Sequence, residues 1–242
     1  MTEQARRATK IMVFSNTTIY GELLDVSPPQ QSTEEIDSTS HNNVGNLTSS
    51  LPGWITPGEM TFKVNDYGGA EQAALYTQQA ACTNSVWMVV YPVAFVRAYS
   101  FNGYVKTIKP TAPMKGAAAT FDVTIKATGL ISSITTAAAG LTTPFLTVTD
   151  QGSTSLTLVP AAATAVYEYA VTTDLADTGV KFTATAAAGS IYINQVLTAT
   201  GVASAAITIG TTAGDIIMVP IVVMENSKVP KIYWVRVIHG AV

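Results

Sequence analysis

Residues 120–126 alternate without a fault: Phe121, Val123 and Ile125 are apolar, while Thr120, Asp122, Thr124 and Lys126 are polar. A period of two is the signature of a strand with one face buried. Further strand-like runs precede it at 18–26, 33–40, 59–65, 86–96 and 101–110, so that 119–128 closes a series. One interruption has a different character. Residues 69–81 are rich in Ala, Gln and Glu, which favour helix, and Asp66 stands where an N-cap would.

Residues 131–144 begin with a small, uncharged stretch that reads as a linker. Beyond it, strands are expected at 145–149, 155–159, 165–173, 180–186, 190–194, 205–209, 216–224 and 232–238. Tyr167, Tyr169 and Val171 alternate with Val166, Glu168 and Ala170, and Val180, Phe182 and Ala184 alternate with Lys181, Thr183 and Thr185. Short alternating strands at this spacing indicate an immunoglobulin-like β-sandwich. The Cys-Trp-Cys pattern of antibody domains is absent. The fold class is therefore mainly β, a first β domain with one α-helix followed by a second β-sandwich. The boundaries read as an N-terminal arm over 1–17, a domain over 18–130, a linker over 131–144 and a sandwich over 145–242.

Residues 41–58 break the pattern. They combine turn formers (Asn42, Asn43, Gly45, Pro52, Gly53, Pro57, Gly58) with Leu47, Leu51, Trp54 and Ile55. Long loops inside compact domains are uncommon and usually functional. A solvated loop gains nothing from Trp and Leu, so these side chains either dock on another molecule or fold back on their own domain.

Composition sharpens this. Of 242 residues, 48% are hydrophobic and only 12% charged, about half the charged share of an average soluble chain. Such a surface favours burial against neighbours. The formal net charge of −3 gives no basic excess for gripping nucleic acid. The single cysteine, Cys82, excludes an internal disulfide and reads as a small buried residue. The longest apolar run, 86–96, is interrupted by Pro92, so no membrane insertion is expected.

Chemistry is sparse. His41 lies beside Asp37, Ser38 and Ser40 in one short segment, whereas a Ser–His–Asp triad is assembled from separate elements. His239, near the chain's end, reads as a capping or surface residue. Asp174 and Asp177 share an Asp-rich turn. No metal, cofactor or phosphate-binding motif is present, and the chain is not expected to be an enzyme.

Three stretches carry a resemblance: IDSTSHNN (36–43), LPGWITPGEMTF (51–62) and FNGYVKTIKPTAPMKGAAATFDVTIKATG (101–129). In this order they resemble the tail tube proteins of long-tailed, siphovirus-type bacteriophages, over roughly residues 15–129. The second domain resembles cadherin-like, immunoglobulin-type sandwiches. The resemblance implies hexameric rings stacked into a tube through which genomic DNA passes without specific binding. It implies a structural virion protein of a non-contractile tail, assembled in the host bacterial cytoplasm. Its partners would be copies of itself, the tape measure protein, the tail terminator and tail-tip proteins. On this reading His41, Asn42, Asn43, Leu47, Leu51, Trp54 and Ile55 are the expected inter-ring contact. Arg6, Arg7 and Lys10 are the expected contact of the arm. Glu59, Thr61, Lys63 and Asn65 are the candidates for lining the lumen, whose expected charge is neutral to acidic. The second domain would project outward and touch host surface polymers weakly. A tail-tip or decoration protein, or a carbohydrate-binding adhesin, are the alternatives.

Overall fold

In the computed structural model, alternation along Thr120–Ala127 becomes burial: Phe121, Val123, Ile125 and Ala127 are at most 2% exposed. The structure describes residues 11–16, 18–20, 23–39, 48–66, 69–92, 95–111, 119–163 and 165–240. The chain divides into two units, Ile11–Val89 with Tyr99–Ser133, and Ile134–Val242 with Val90–Ala98. In chain order the strands of the first part are β1 (Met12–Ser15), β2 (Thr18–Tyr20), β3 (Leu23–Ser27), β4 (Gln31–Asp37), β5 (Ser50–Pro57) and β6 (Glu59–Asn65). After α1 (Ala70–Ala80) come β7 (Ser85–Val90), β8 (Ala98–Thr111), β9 (Thr120–Ala127) and β10 (Ser132–Ile134).

One sheet runs β2-β1-β7-β8-β9-β6-β3, with β10 also paired to β8. Its two edge strands, β2 and β3, are joined by the three peptide units from Tyr20 to Leu23, which reach at most about 11 Å. Seven strands laid flat would place their edges about 29 Å apart. The sheet must therefore curl back on itself. The core confirms it: Tyr20 on β2 and Phe62 on β6, far apart in strand order, have ring centroids 5.8 Å apart. Trp87 on β7 completes the cluster, 5.8 Å from Tyr20 and 6.3 Å from Phe62. These three rings fill the barrel-like interior.

Four sequence expectations change in the first unit. Met12–Ser15, taken as part of a polar arm, is a strand whose Val13 and Phe14 are buried. The expected strand over 18–26 is split, because its two halves lie on opposite edges of the sheet. The helix opens at Gly69 rather than at Asp66. There Gln72 does the capping: its Oε1 accepts from the Gly69 N–H at 3.3 Å and its Nε2 donates to the Asn65 carbonyl at 2.6 Å. Cys82 is also corrected, since it is exposed and adopts φ +49° just past the helix end. That left-handed turn swings its side chain off the helix.

Burial pushes the Tyr20 phenol up to about 12, against the smaller, opposing pull of Ser15 and Gln78 beside its hydroxyl. The folded state thus favours the protonated phenol. This contribution is complete below pH about 10, the unfolded value, and is lost as pH rises through the folded value, costing about 2.5 kcal/mol. Tyr20→Phe keeps the ring stack and removes the ionisable group. We expect its unfolding free energy to fall less steeply than the wild type's between pH 10 and 12. Denaturant titrations across that window check this; equal alkaline slopes would contradict it.

The second unit holds β11 (Leu141–Asp150), β12 (Ser155–Leu156), β13 (Glu168–Thr173), β14 (Gly179–Ala186) and β15 (Ser190–Ile193). It continues with β16 (Val196–Thr198), β17 (Ile207–Thr208), β18 (Ile216–Met224) and β19 (Lys231–His239). They form a four-stranded sheet, β12-β11-β14-β17, and a five-stranded sheet, β13-β19-β18-β15-β16. Inward residues of both sheets share one core: Leu146, Val148, Val180 and Phe182 from the first, and Tyr169, Val171, Ile191, Ile221, Tyr233 and Val235 from the second. β13 runs parallel to β19, pairing Tyr169 with Val235, while the remaining ladders are antiparallel.

The stretch read as a linker is hydrogen-bonded throughout much of its length. Ser132–Ile134 is β10, and Ala137 bridges to Val229, with Val229 N–H donating to Thr136 and Ala138 N–H donating to Val229. Ala139 N–H donates to the Glu225 carboxylate, Lys231 Nζ donates to the Ala139 carbonyl at 3.0 Å, and Leu141 N–H donates to the Tyr233 hydroxyl at 3.0 Å. Gly140 takes φ +85° against that hydroxyl, where a Cβ would collide. Small residues suit this stretch because its backbone lies close to the β18–β19 turn and to β19. His239 is likewise corrected: it is 2% exposed, with Nδ1 3.2 Å from the Thr212 carbonyl, and its backbone bonds to Gly214 and Asp215. It pins the 212–215 turn.

Candidate assembly surfaces

The hairpin β3–β6 continues beyond the sheet as a second hairpin, β4–β5. Pro28 and Pro29 lack N–H groups, so the barrel ladder stops there. Gly58 lets the Gln30 carbonyl pass where a Cβ would sit. Pairing then resumes from Gln31 opposite Pro57 to Asp37 opposite Ser50. Every residue of β4 is exposed, and β5 is exposed except at Gly53 and Pro57. The expectation of a long irregular loop over 41–58 is thereby corrected, because Ser50–Pro57 is a strand.

This ribbon carries large apolar side chains on an exposed frame. Trp54 is 81% exposed, Leu51 57%, Ile55 51% and Ile36 48%. Ile36 stands directly opposite Leu51 and lies over Gly53, whose missing Cβ would be 3.1 Å from it. Isolated two-stranded ribbons are marginal in water. At the ribbon's far end, Ser38 N–H donates to the Ser49 carbonyl at 2.8 Å and Ser49 N–H donates to Thr39 Oγ1 at 2.9 Å. Hydrogen bonds from Thr39 hold the Asp37 carboxyl below the usual range.

The structure thus places Leu51, Trp54 and Ile55 on one exposed ribbon and adds Ile36, which the sequence reading missed. Its signal was an isolated apolar residue in an otherwise polar strand. His41, Asn42, Asn43 and Leu47 lie outside the described residues, as do Arg6, Arg7 and Lys10.

The second surface is the polar face of β3, β6, β9 and β8. Glu59, Thr61, Lys63 and Asn65 share it by alternation with the buried Met60, Phe62 and Val64. Register builds rows across it. Lys63 faces Asp25 on one side and Asp122 on the other, and Asp122 faces Lys109. Next to it runs a hydroxyl row of Ser27, Thr61, Thr124 and Thr107. The following row sets Glu59 against Lys126 and Tyr104, while Lys106 bulges out of β8 and donates to Glu59 Oε1 at 2.6 Å. That bond holds the Glu59 carboxyl below its usual range and raises the Lys106 ammonium.

Other chemistry is thin among the described residues. No group of three or more His, Cys, Asp or Glu side chains is placed to hold a metal. The Asp177 carboxylate accepts from the Asp174 N–H at 2.9 Å, closing its own turn. Asp37 and Ser38 stand at the ribbon's end, and their sequence neighbour His41 lies outside the described residues. A groove beside β12 and β13 is lined by Leu156, Val159, Ala170 and Thr172 without a titratable side chain. No described helix is long and apolar enough to cross a membrane.

No family model matches the chain, and no curated protein does. Among solved structures, it is similar to a protein of the virion of a native gene transfer agent particle (12% identity, TM-score 0.44), covering 51% of this chain and 94% of that one. It is also similar to the SPP1 tail tube (11% identity, TM-score 0.42), covering 52% and 76%. A third likeness is to a protein of the sheath–tube complex of an extracellular contractile injection system (13% identity, TM-score 0.41), covering 55% and 98%.

Proposed function

We propose that the chain is a tail tube subunit, assembling with copies of itself into hexameric rings that stack into a conduit for DNA. The observation that carries this reading is the β4–β5 ribbon, exposed on both faces yet bearing Ile36, Leu51, Trp54 and Ile55. A strand pair of this kind gains its stability by docking, and the resemblance carried by the motifs at 36–43, 51–62 and 101–129 favours the next ring as its neighbour. The open edges of the curled sheet support ring closure, because pairing edges between subunits removes them. The polar face of β3, β6, β9 and β8 is then the lining of the bore, with Glu59, Thr61, Lys63 and Asn65 among its residues. The arm with Arg6, Arg7 and Lys10 is the second candidate for contact between rings.

The second unit's strand order, with its first long strand paired to β14 and β13 parallel to the last strand, supports an immunoglobulin-like sandwich. On this reading it decorates the outside of a non-contractile tail. Electron microscopy of the purified chain tests the assembly: tubes of uniform diameter with six-fold rings are expected. A chain that stays monomeric at high concentration would refute it.

A further inference from the structure

On the polar face, Glu59 and Asp122 each stand between two lysines. Glu59 Oε1 accepts from Lys106 Nζ at 2.6 Å and lies 3.8 Å from Lys126 Nζ. Asp122 Oδ1 lies 3.9 Å from Lys63 Nζ and faces Lys109 across the ladder. The face as a whole carries Asp25, Glu59 and Asp122 against Lys63, Lys106, Lys109 and Lys126, nearly balanced. Stability does not account for this arrangement. The paired side chains are between 33% and 50% exposed, and ion pairs this open contribute about 0–1 kcal/mol.

Their exposure has another consequence. A polyanion passing over the face can compete for the same lysines. Phosphates bind basic surfaces by releasing counterions, and each additional contact strengthens binding and its salt dependence. Four lysines on one sheet face would form a phosphate track if left unanswered. Here each has a carboxylate beside it or across the ladder from it, and a neutral hydroxyl row separates the two charged rows.

We propose that Glu59 is a masking residue: it holds Lys106 and Lys126 so that this face does not retain duplex DNA. The proposal rests on the reading of this face as the bore lining, yet its chemistry can be measured on the dispersed chain. Glu59→Gln keeps the size and an acceptor oxygen for the Lys106 bond while removing the charge, so the fold is retained.

The experiment measures binding of a fluorescent duplex DNA to the full-length wild type, E59Q and E59Q/K106Q over a range of salt. At about 50 mM salt the wild type should show no saturable binding, whereas E59Q should bind, with a log affinity against log salt slope steeper by about 2. E59Q/K106Q, which restores the charge balance, should return towards the wild type. Circular dichroism confirms that all three are folded. Equal binding by folded wild type and E59Q overturns the proposal, as does E59Q/K106Q binding as well as E59Q. Electron microscopy of the same wild-type sample reads assembly separately. Absence of tubes with masking intact sinks the tube reading alone, and tubes without masking sink this proposal alone.

Discussion

Replacing Trp54 and Leu51 together by Ser is expected to abolish tube assembly while leaving the thermal midpoint of the chain unchanged. Trp54 is 81% exposed and Leu51 57%, so neither side chain contributes much to the isolated subunit. Surface substitutions of that kind usually change stability by no more than about 0.5 kcal/mol. The cost falls on the contact. A tryptophan buried in an interface removes about 200 Å² from water, worth about 5 kcal/mol at the usual area coefficient. Each ring repeats that loss at every subunit, so stacking that depends on many modest contacts should fail outright. Electron microscopy for tubes and circular dichroism for the midpoint provide the two readings. Tubes at wild-type yield would remove the ribbon from the assembly. A midpoint lowered by several degrees would mean that these side chains fold back on their own domain, the alternative that the sequence left open.

Why the ribbon was hidden in the sequence while other strands were plain is a matter of what creates a pattern. β9 and β14 each have one face in a core, so Phe121, Val123 and Ile125, or Val180 and Phe182, must recur every second residue. β5 has no buried face of its own, so nothing enforces alternation along Ser-Leu-Pro-Gly-Trp-Ile-Thr-Pro. Its Pro52, Gly53 and Pro57 then read as turn formers. The strand is recovered only from its partner, β4. β1 was lost for a different reason: Val13 and Phe14 are two core residues in a strand of four, directly after the basic residues of the arm.

The curl of the sheet was not legible either. Local pattern places β2 and β3 in one strand, and only the pairing of β2 with β1 and of β3 with β6 separates them. Charge on the polar face shows the same dependence. Read along β6 alone, Glu59 and Lys63 are one acid and one base, and the sign of the face cannot be deduced from them. Ladder register supplies Lys126 beside Glu59, with Tyr104 beyond it, and Asp25 and Asp122 beside Lys63. In the stretch read as a linker, small residues mark close backbone contact. Ala137–Gly140 are small because Val229, Lys231 and Tyr233 lie against their backbone.

The largest loss of stability is expected from Trp87→Ala, because this side chain holds the curled sheet together from within. Trp87 is fully buried, its ring stacked on Tyr20 at 18° and tilted against Phe62. Those contacts join β7 to β2 and β6, which are not its neighbours in the sheet. Its Nε1–H donates to the Gly103 carbonyl at 3.1 Å on β8. Gly103 can bear no side chain there, since a Cβ would sit 2.6 Å from the Lys126 carbonyl. Truncation should cost about 3–5 kcal/mol for the cavity and about 1–3 kcal/mol more for the orphaned carbonyl. Against a total of about 5–15 kcal/mol for a domain, that brings the first unit to the edge of unfolding. Trp87→Phe, which keeps an aromatic ring and loses only the hydrogen bond and part of the volume, should fall well short of this. Hydrogen exchange gives the decisive readout, since amides of β6, β7 and β9 should lose protection in Trp87→Ala and keep most of it in Trp87→Phe. A denaturant-derived loss below about 1 kcal/mol for the alanine variant would mean that the three-ring cluster does not hold the barrel closed.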